Sequence, residues 1–248
     1  MKIAIYGDSF GVIHTVWETK MQNDPRGSSW PESLQLNHTV DNYAKSGSAF
    51  MYSYELFLKH NSNYDMNIFV VTNPQRTYIK ALDDLLIFGG EWVRHELKRI
   101  SKLSWYEKKD DHLEILKSVE VYLDKWKDWE MDTHVQHVLV NNLWILNPNT
   151  LVIPAFNDSM QQTTKNLFDL AKYELKLVDE EKFNNFNFGF LDCNRKCHFS
   201  EENNIVIYNT IVKSIENKQK ILTLEYEDIQ KPSRTFDEYV ASNKHNFI

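Results

Sequence analysis

Ser9 is the residue of this chain that is best placed to act as a nucleophile. It follows an apolar strand pattern at residues 2–6 and stands in the tight turn Gly7-Asp8-Ser9. Open α/β sheets carry their reactive groups at the carboxyl ends of their strands, where this turn would lie. The tripeptide alone more often only ends a strand, because all three residues are common in turns. Its place directly after the first strand favours the nucleophile.

His198 is the candidate base for such a serine. A serine hydroxyl attacks a carbonyl carbon only when a base takes its proton, and the tetrahedral intermediate needs hydrogen-bond donors for its oxyanion. His198 stands on a loop ahead of a predicted helix that Ser200 would cap, and Asp192 is an acid six residues before it. Such a loop can carry the imidazole over the edge of a sheet.

Polar clusters also follow the later strand patterns, and they supply candidate donors. Gly47 follows a strand pattern at residues 39–43, Asn73 follows one at 67–72, and a fourth pattern covers 150–155. Helix-like segments separate these patterns, which is typical of βαβ units and a mostly parallel sheet. In that arrangement the clusters share one edge of the sheet. The predicted helices begin within 28–34 and cover 51–59 and 200–216.

The chain is long enough for one large α/β domain, with boundaries predicted at residues 1–221. The crossover at about 78–149 is longer than usual, and its apolar residues recur at helical spacing with a break near 128–132. We interpret it as a mostly helical insertion packed over the sheet edge. The polar tail at 222–248 wraps over the surface, serves an oligomer contact or is disordered.

Charge and composition exclude several classes of protein. The net charge is −7 and no dense cluster of lysine and arginine occurs, which argues against nucleic acid as the main partner. No apolar run approaches the roughly 18 residues that span a bilayer, and the N-terminus lacks the features of a secretion signal. A cytoplasmic protein without a membrane partner is therefore predicted, and its composition resembles that of phage-encoded proteins.

Cys193, Cys197 and His198 raise the question of a zinc site, since thiolates and imidazoles bind zinc. A closed zinc site needs four ligands, and the chain has only these two cysteines. Nothing in the sequence brings His134 or His137 close to them. The prediction is a protein with no metal and no cofactor.

The turn Gly7-Asp8-Ser9, then Gly47, then Asn73, and finally the late pair Asp192 and His198 resemble the sequence blocks of the SGNH (GDSL) hydrolases. The resemblance implies a flavodoxin-like α/β/α fold and the hydrolysis of esters, including acetyl groups on carbohydrates. It makes Ser9 the nucleophile and His198 the general base, with Asp192 orienting the imidazole. It assigns the oxyanion to the backbone N–H groups of Ser9 and Gly47 and to the side-chain amide of Asn73.

Two positions depart from the family pattern. The third block keeps Asn73 but lacks the usual glycine and aspartate around it. Arg195 stands three residues before His198, where the family has aspartate. An arginine cannot accept the imidazole N–H, so Asp192, a backbone carbonyl or another acid orients the ring, or Ser9 and His198 act as a dyad.

These residues together predict a metal-independent serine esterase that removes an acetyl or other acyl group from a carbohydrate or other small ester. One alternative is an acyltransferase on the same site, which only requires that water be excluded at the second step. Another is a catalytically inactive binding or assembly module with the same fold. Arg76 either binds an anionic substrate or pairs with Asp8. A homo-oligomer is compatible with the sequence.

Overall fold

The computed structural model of the chain describes residues 1–13, 29–45, 47–74, 76–78, 86–88, 110–156, 165–185, 199–233, 235 and 237. Its strands are β1 (Lys2–Tyr6), β2 (Thr39–Asn42), β3 (Met66–Val71), β4 (Arg76–Tyr78), β5 (Leu86–Phe88) and β6 (Thr150–Pro154). Four of them form a parallel sheet in the order β2-β1-β3-β6, and β4 and β5 form a separate antiparallel pair.

The strands β1, β3 and β6 of the central sheet are almost continuous apolar runs because both faces of the sheet are covered there. All six residues of β3 are buried, and so are residues 3–6 of β1 and all of β6. In the register of the sheet, Ile3 lies opposite Val40 of β2 and Met66 of β3. This pattern is the one expected of a parallel sheet with helices on both sides.

The described helices are α1 (Trp30–Gln35), α2 (Phe50–His60), α3 (Asp110–Lys125), α4 (Trp129–Leu146), α5 (Leu167–Val178), α6 (Glu180–Asn184) and α7 (Glu201–Glu216). Five of them, α1, α2, α4, α5 and α7, cover the two faces of the sheet. Buried residues of α1, α5 and α7 share one core cluster with Ile3, Ile5 and Ile68. Buried residues of α2 and α4 share the other with Tyr6 and Phe69. The predicted α/β/α sandwich is therefore confirmed.

A fifth segment extends the sheet beside β6. The Val152 N–H donates to the Lys220 carbonyl at 2.8 Å, and the Leu222 N–H donates to the Val152 carbonyl at 2.9 Å. This bridge between Val152 and Ile221 is parallel. The resulting order, with 220–222 outermost, is the flavodoxin-like order of doubly wound sheets.

The long third crossover contains β4, β5, α3 and α4. The predicted break near 128–132 falls at the start of α4, where the Asp128 carboxylate accepts the Met131 N–H at 2.9 Å. Val140 and Leu143 of α4 are buried against the sheet. This helix therefore lies on a face of the sheet, as the crossover helix of a βαβ unit does.

The predicted strand positions agree with the structure within one residue at each end, and the predicted caps are present. Ser29 precedes α1 and donates its N–H to Glu32 at 2.6 Å, while Ser200 precedes α7 and accepts the Asn203 N–H at 3.3 Å. The helix α5 was not predicted from the sequence. No helix in the described part of the chain is long and apolar enough to cross a membrane.

The first part of the C-terminal tail belongs to the core. Leu222, Leu224 and Ile229 are buried in the same cluster as α7. These three residues therefore pack into the domain itself, and the role of the rest of the tail stays a prediction. Residues 234, 236 and 238–248 lie outside the described part of the chain.

Candidate functional site

Ser9 lies just past the carboxyl end of β1, at the point where the strand order reverses. β1 pairs with β2 on one side and with β3 on the other. In open α/β sheets, ligands bind outside the carboxyl ends of the strands at this point. The Ser9 side chain is half-buried, and no described residue forms a hydrogen bond with its hydroxyl.

Gly7 allows the Ser9 turn to lie directly against β3. Its φ is +138°, and a Cβ built on it would stand 2.5 Å from the Val70 Cβ and 2.6 Å from the Val70 carbonyl oxygen. No real Cβ tolerates such a distance to backbone, so this position requires glycine. The Gly7 carbonyl accepts the Lys45 N–H at 3.0 Å and the Ser48 hydroxyl at 2.7 Å, which connects the turn to the loop after β2.

Asp8 holds the conformation of the turn from inside the protein. Its carboxylate is completely buried and accepts hydrogen bonds from the Phe10 N–H at 3.1 Å, the Thr72 hydroxyl at 2.8 Å and the Arg76 Nη1 at 2.8 Å. A buried charge must be paired to be tolerated, and these donors provide that pairing. The residue next to Ser9 is thus fixed to the loop after β3.

Gly47 lies in the turn after β2 in a left-handed conformation, with φ at +73°. The Ser48 N–H closes this turn on the Lys45 carbonyl at 2.9 Å. Ser48 is fully buried, and its hydroxyl donates to the Gly7 carbonyl. The residue that follows Gly47 is therefore hydrogen-bonded to the turn that carries Ser9. Ser48 was not predicted to contribute to the site, because a serine in a glycine turn gives no signal of burial.

Asn73 begins the turn after β3. Its carbonyl accepts the Arg76 N–H at 3.1 Å, and its side chain is half-buried. The three residues that the sequence assigns to the oxyanion site thus follow β1, β2 and β3, which are adjacent strands.

Arg76 connects the three loops. Its Nη1 donates to the Asp8 carboxylate at 2.8 Å and to the Ser48 carbonyl at 3.3 Å, and its guanidinium lies 4.6 Å above the Phe156 ring. Its exposed fraction is only 8%. Of the two interpretations of Arg76, the ion pair with Asp8 is therefore the one present in the structure. Binding of an anionic substrate by Arg76 stays a prediction.

Asp192, Cys193, Cys197 and His198 lie outside the described residues. The chain is described again from Phe199, which is 3% exposed and whose ring centroid lies 6.3 Å from that of Phe10. Phe199 is the residue that follows His198, and Phe10 is the residue that follows Ser9. The core therefore joins two positions that directly adjoin the candidate base and the candidate nucleophile.

Hydrogen bonds also connect the segment around Phe10 with the segment around Phe199. The Trp30 Nε1 donates to the Phe10 carbonyl at 2.8 Å, and the Trp30 N–H donates to the Asn204 side chain at 3.3 Å. The Asn204 amide in turn donates to the Phe199 carbonyl at 3.2 Å. Sequence reasoning singled out neither Trp30 nor Asn204 for the site, because their roles depend on contacts between distant segments.

Glu174 is a further buried acid at the start of α7. It is 0% exposed, and both of its carboxylate oxygens accept the Ser200 N–H, at 2.9 and 3.2 Å. The signal for it was present in the sequence: it occupies the apolar stripe of α5 beside Leu170, Ala171 and Leu175. A glutamate on a buried helical stripe is uncommon and indicates a specific partner.

Glu202, in the first turn of α7, binds the C-terminal segment. It accepts the Ser233 N–H at 3.2 Å and the Ser233 hydroxyl at 2.8 Å. Burial acts to raise the pKa of Glu202, but hydrogen bonds from its own backbone N–H, from Ser233 and from Ser200 outweigh burial and lower that pKa. The ionised form of Glu202 is therefore the one that holds this segment on α7.

Within the described ranges, no three His, Cys, Asp or Glu side chains form a group that could hold a metal ion. Both cysteines lie outside those ranges, so the prediction of a protein without a metal stays a prediction.

No family model, curated protein or solved structure matches this chain. The resemblance to the SGNH hydrolases therefore stays a prediction from the sequence.

Proposed function

We propose that the protein is a serine esterase of the SGNH type, with Ser9 as nucleophile and His198 as general base. The observation that carries the proposal is the contact between Phe10 and Phe199, 6.3 Å between ring centroids. It supports the convergence of two segments nearly two hundred residues apart at the carboxyl edge of the sheet. A base and a nucleophile from such distant segments can act together only where the fold joins them.

The oxyanion site consists of donors on both sides of the nucleophile. Ser9 follows the middle strand β1, while Gly47 and Asn73 follow the neighbouring strands β2 and β3. Adjacent strands lie about 4.8 Å apart, so donors at their ends can converge on one oxygen atom. Three donors arranged before the reaction stabilise the charge that develops on the carbonyl oxygen.

The reaction proceeds in two steps. The Ser9 Oγ bonds to the ester carbonyl carbon as His198 takes the hydroxyl proton, and the C–O bond to the alcohol then breaks as that proton passes to the leaving oxygen. A water molecule, deprotonated by His198, attacks the acyl-enzyme and releases the carboxylic acid with Ser9 restored. The substrate we propose is an acetylated carbohydrate or another small ester, and the steps need no cofactor.

Arg195 supports a different function, a binding or assembly module that keeps the fold without catalysis. A cation three residues before His198 cannot orient a general base, and an inactive relative would tolerate it there. An acyltransferase differs from the esterase only in the acceptor, which is an alcohol in place of water.

The first test is the Ser9→Ala variant, assayed with p-nitrophenyl acetate. We expect its turnover to fall to the rate of the buffer with no change in the melting temperature, because the hydroxyl has no described structural partner. Ser118→Ala is the matched control, since that serine is exposed on α3, donates its hydroxyl to the Glu114 carbonyl and should leave turnover at the parent rate.

Three results would count against the esterase. Full turnover in Ser9→Ala would remove Ser9 as the nucleophile. No turnover in the parent protein would favour the inactive module. Ester products in excess over free acid, on addition of an acceptor alcohol, would favour the acyltransferase.

A further inference from the structure

Asn73, the proposed side-chain donor of the oxyanion site, lies just beyond the hydrogen-bond ladder of the sheet. The ladder between β3 and β6 reaches the Val71 carbonyl, which accepts the Ala155 N–H at 3.0 Å. A donor stabilises an oxyanion most when it is held in place before the reaction. Contacts from outside the sheet must therefore fix the backbone at Asn73.

Gln136 of α4 supplies such a contact. It is 4% exposed, and its Nε2 donates to the Thr72 carbonyl at 2.9 Å. The Thr72 carbonyl and the Asn73 N–H belong to one planar peptide group, so this bond sets the plane of the peptide that enters Asn73. The peptide that leaves Asn73 is also bonded, because the Asn73 carbonyl accepts the Arg76 N–H at 3.1 Å. The two bonds together restrict both backbone angles of Asn73.

Lys127, at the junction of α3 and α4, holds the far end of the same turn. Its Nζ donates to the Thr77 hydroxyl on β4 and pairs with Asp132 of α4 at 2.6 Å. Its side chain is 4% exposed, and its Nζ lies 4.3 Å from the centroid of the Trp129 ring. A buried lysine keeps such partners because separation from them costs free energy. The turn is thus attached to the start of α4 at both ends, Thr72 and Thr77.

We infer that α4 positions the oxyanion donor Asn73, with Gln136 as the positioning residue and Lys127 as a second attachment. This inference deepens the proposed function and rests on it. It gives the helical insertion a role in the reaction, in addition to its packing on the face of the sheet. In this role Gln136 acts through the backbone of Asn73 and makes no bond to the ester.

The test compares two amide side chains of α4 that form similar bonds in different places. Gln136 donates to the Thr72 carbonyl, while the Asn142 Nδ2 donates to the Tyr54 hydroxyl of α2 at 2.8 Å. Gln136→Met and its matched control Asn142→Leu each remove the amide and keep a similar volume. The readouts are kcat and KM for p-nitrophenyl acetate, and hydrogen exchange of the Arg76 N–H by NMR.

We expect Gln136→Met to lower kcat about 10- to 10²-fold with little change in KM, because a displaced donor binds the transition state less well without weakening the binding of the ester. The Arg76 N–H should exchange faster in this variant, since the turn that it closes loses an attachment. Asn142→Leu should leave kcat and this exchange rate at the parent values. Equal effects of the two variants would show that Gln136 only stabilises α4.

A double-mutant cycle with Asn73→Ala separates positioning from a direct role of Gln136. Asn73→Ala alone should lower kcat about 10²- to 10³-fold, as for the loss of one oxyanion donor. Because Gln136 acts through Asn73, adding Gln136→Met to Asn73→Ala should lower kcat little further. Losses that multiply in the double variant would overturn the inference, as would an unchanged kcat in Gln136→Met.

If Gln136→Met does not fold, Thr77→Val decides at the other end of the turn. This variant removes only the hydroxyl that accepts the Lys127 bond, and valine suits a strand position. It should lower kcat and speed exchange of the Arg76 N–H. Parent values of both quantities in Thr77→Val would then overturn the inference.

The exchange measurement also separates this inference from the esterase itself. A parent protein without turnover, in which Gln136→Met still speeds exchange of the Arg76 N–H, would contradict the esterase and support the attachment of this turn to α4. An active parent in which Gln136→Met changes neither kcat nor exchange would do the reverse.

Discussion

At the scale of single residues, Arg76 is the side chain on which the geometry of the three loops depends. It bonds to Asp8 beside Ser9, to Ser48 beside Gly47 and, through its own N–H, to Asn73. Each of these partners adjoins or is a proposed oxyanion donor. The sequence alone placed Arg76 at this edge but left open whether it faces a substrate or a carboxylate, because only the fold brings Asp8 to it.

Replacing Arg76 by methionine should destabilise the protein by about 3–5 kcal/mol, since the buried Asp8 carboxylate is left without its ion-pair partner. The measurement is the free energy of unfolding in urea. The double variant Asp8→Asn/Arg76→Met should recover part of the loss because it removes both charges. Turnover of p-nitrophenyl acetate should fall in kcat more than it changes KM.

Lys182→Met provides the matched control. Lys182 also pairs with an aspartate at 2.8 Å, but both partners of the Lys182–Asp237 bridge are exposed to solvent. Exposed ion pairs contribute little. Equal losses of stability in the two single variants would contradict a structural role for the buried pair.

At the scale of elements, the bond between Glu202 and Ser233 attaches the C-terminal segment to α7. The pKa of Glu202 is lower in the folded protein than its ordinary value of 4.5. A carboxylate with a lowered folded-state pKa contributes stability that is fully present above the unfolded-state pKa and is lost as the pH falls through the folded-state pKa. The attachment should therefore weaken in acid.

Hydrogen exchange of the amides at residues 229–231 and 233 measures this attachment. In the parent protein, protection factors should be higher at about pH 6 than at about pH 3. Glu202→Gln should lower protection at the higher pH and remove most of the difference. Glu201→Gln, at an exposed neighbouring position, should keep the parent behaviour. Equal protection of the parent at both pH values would refute the assignment.

The four strands of the parallel sheet and several helix ends were predictable because their signals are local. The strands β1, β3 and β6, which are buried on both faces, are apolar runs of five or six residues, and Ser29 and Ser200 mark helix starts through their side chains. The helix α5 also had local signals, its cap Asn166 and its apolar stripe, which the sequence analysis did not use. The outermost sheet segment was not predictable, since the single bridge at Ile221 has no periodicity.

The polar contacts of the candidate site were predictable only in part. Ser9, Gly47 and Asn73 could be placed at one edge because each directly follows a strand. The partners that fix them could not, because the bond between Asp8 and Arg76 and the bond between Glu174 and Ser200 join residues far apart in sequence. Such contacts are set by the packing of the layers, and no spacing rule encodes them.

At the scale of the whole molecule, the doubly wound topology makes the site possible. β1 lies inside the sheet, so the loops of two neighbouring strands flank its carboxyl end. The contact of α1 with α7, through Trp30 and Asn204, brings the start of the last helix to the same edge. Phe199, the residue after His198, thereby lies beside Phe10, the residue after Ser9, and the proposed chemistry depends on this convergence.

Labelling with a fluorophosphonate, followed by mass spectrometry of the peptides, tests that convergence most directly. Such a reagent bonds to a serine only when a base activates the hydroxyl. We predict one adduct in the parent protein, on Ser9, and its loss in His198→Gln with the fold intact. Absence of an adduct, an adduct on another residue, or undiminished labelling of Ser9 in His198→Gln would contradict the pairing of Ser9 with His198.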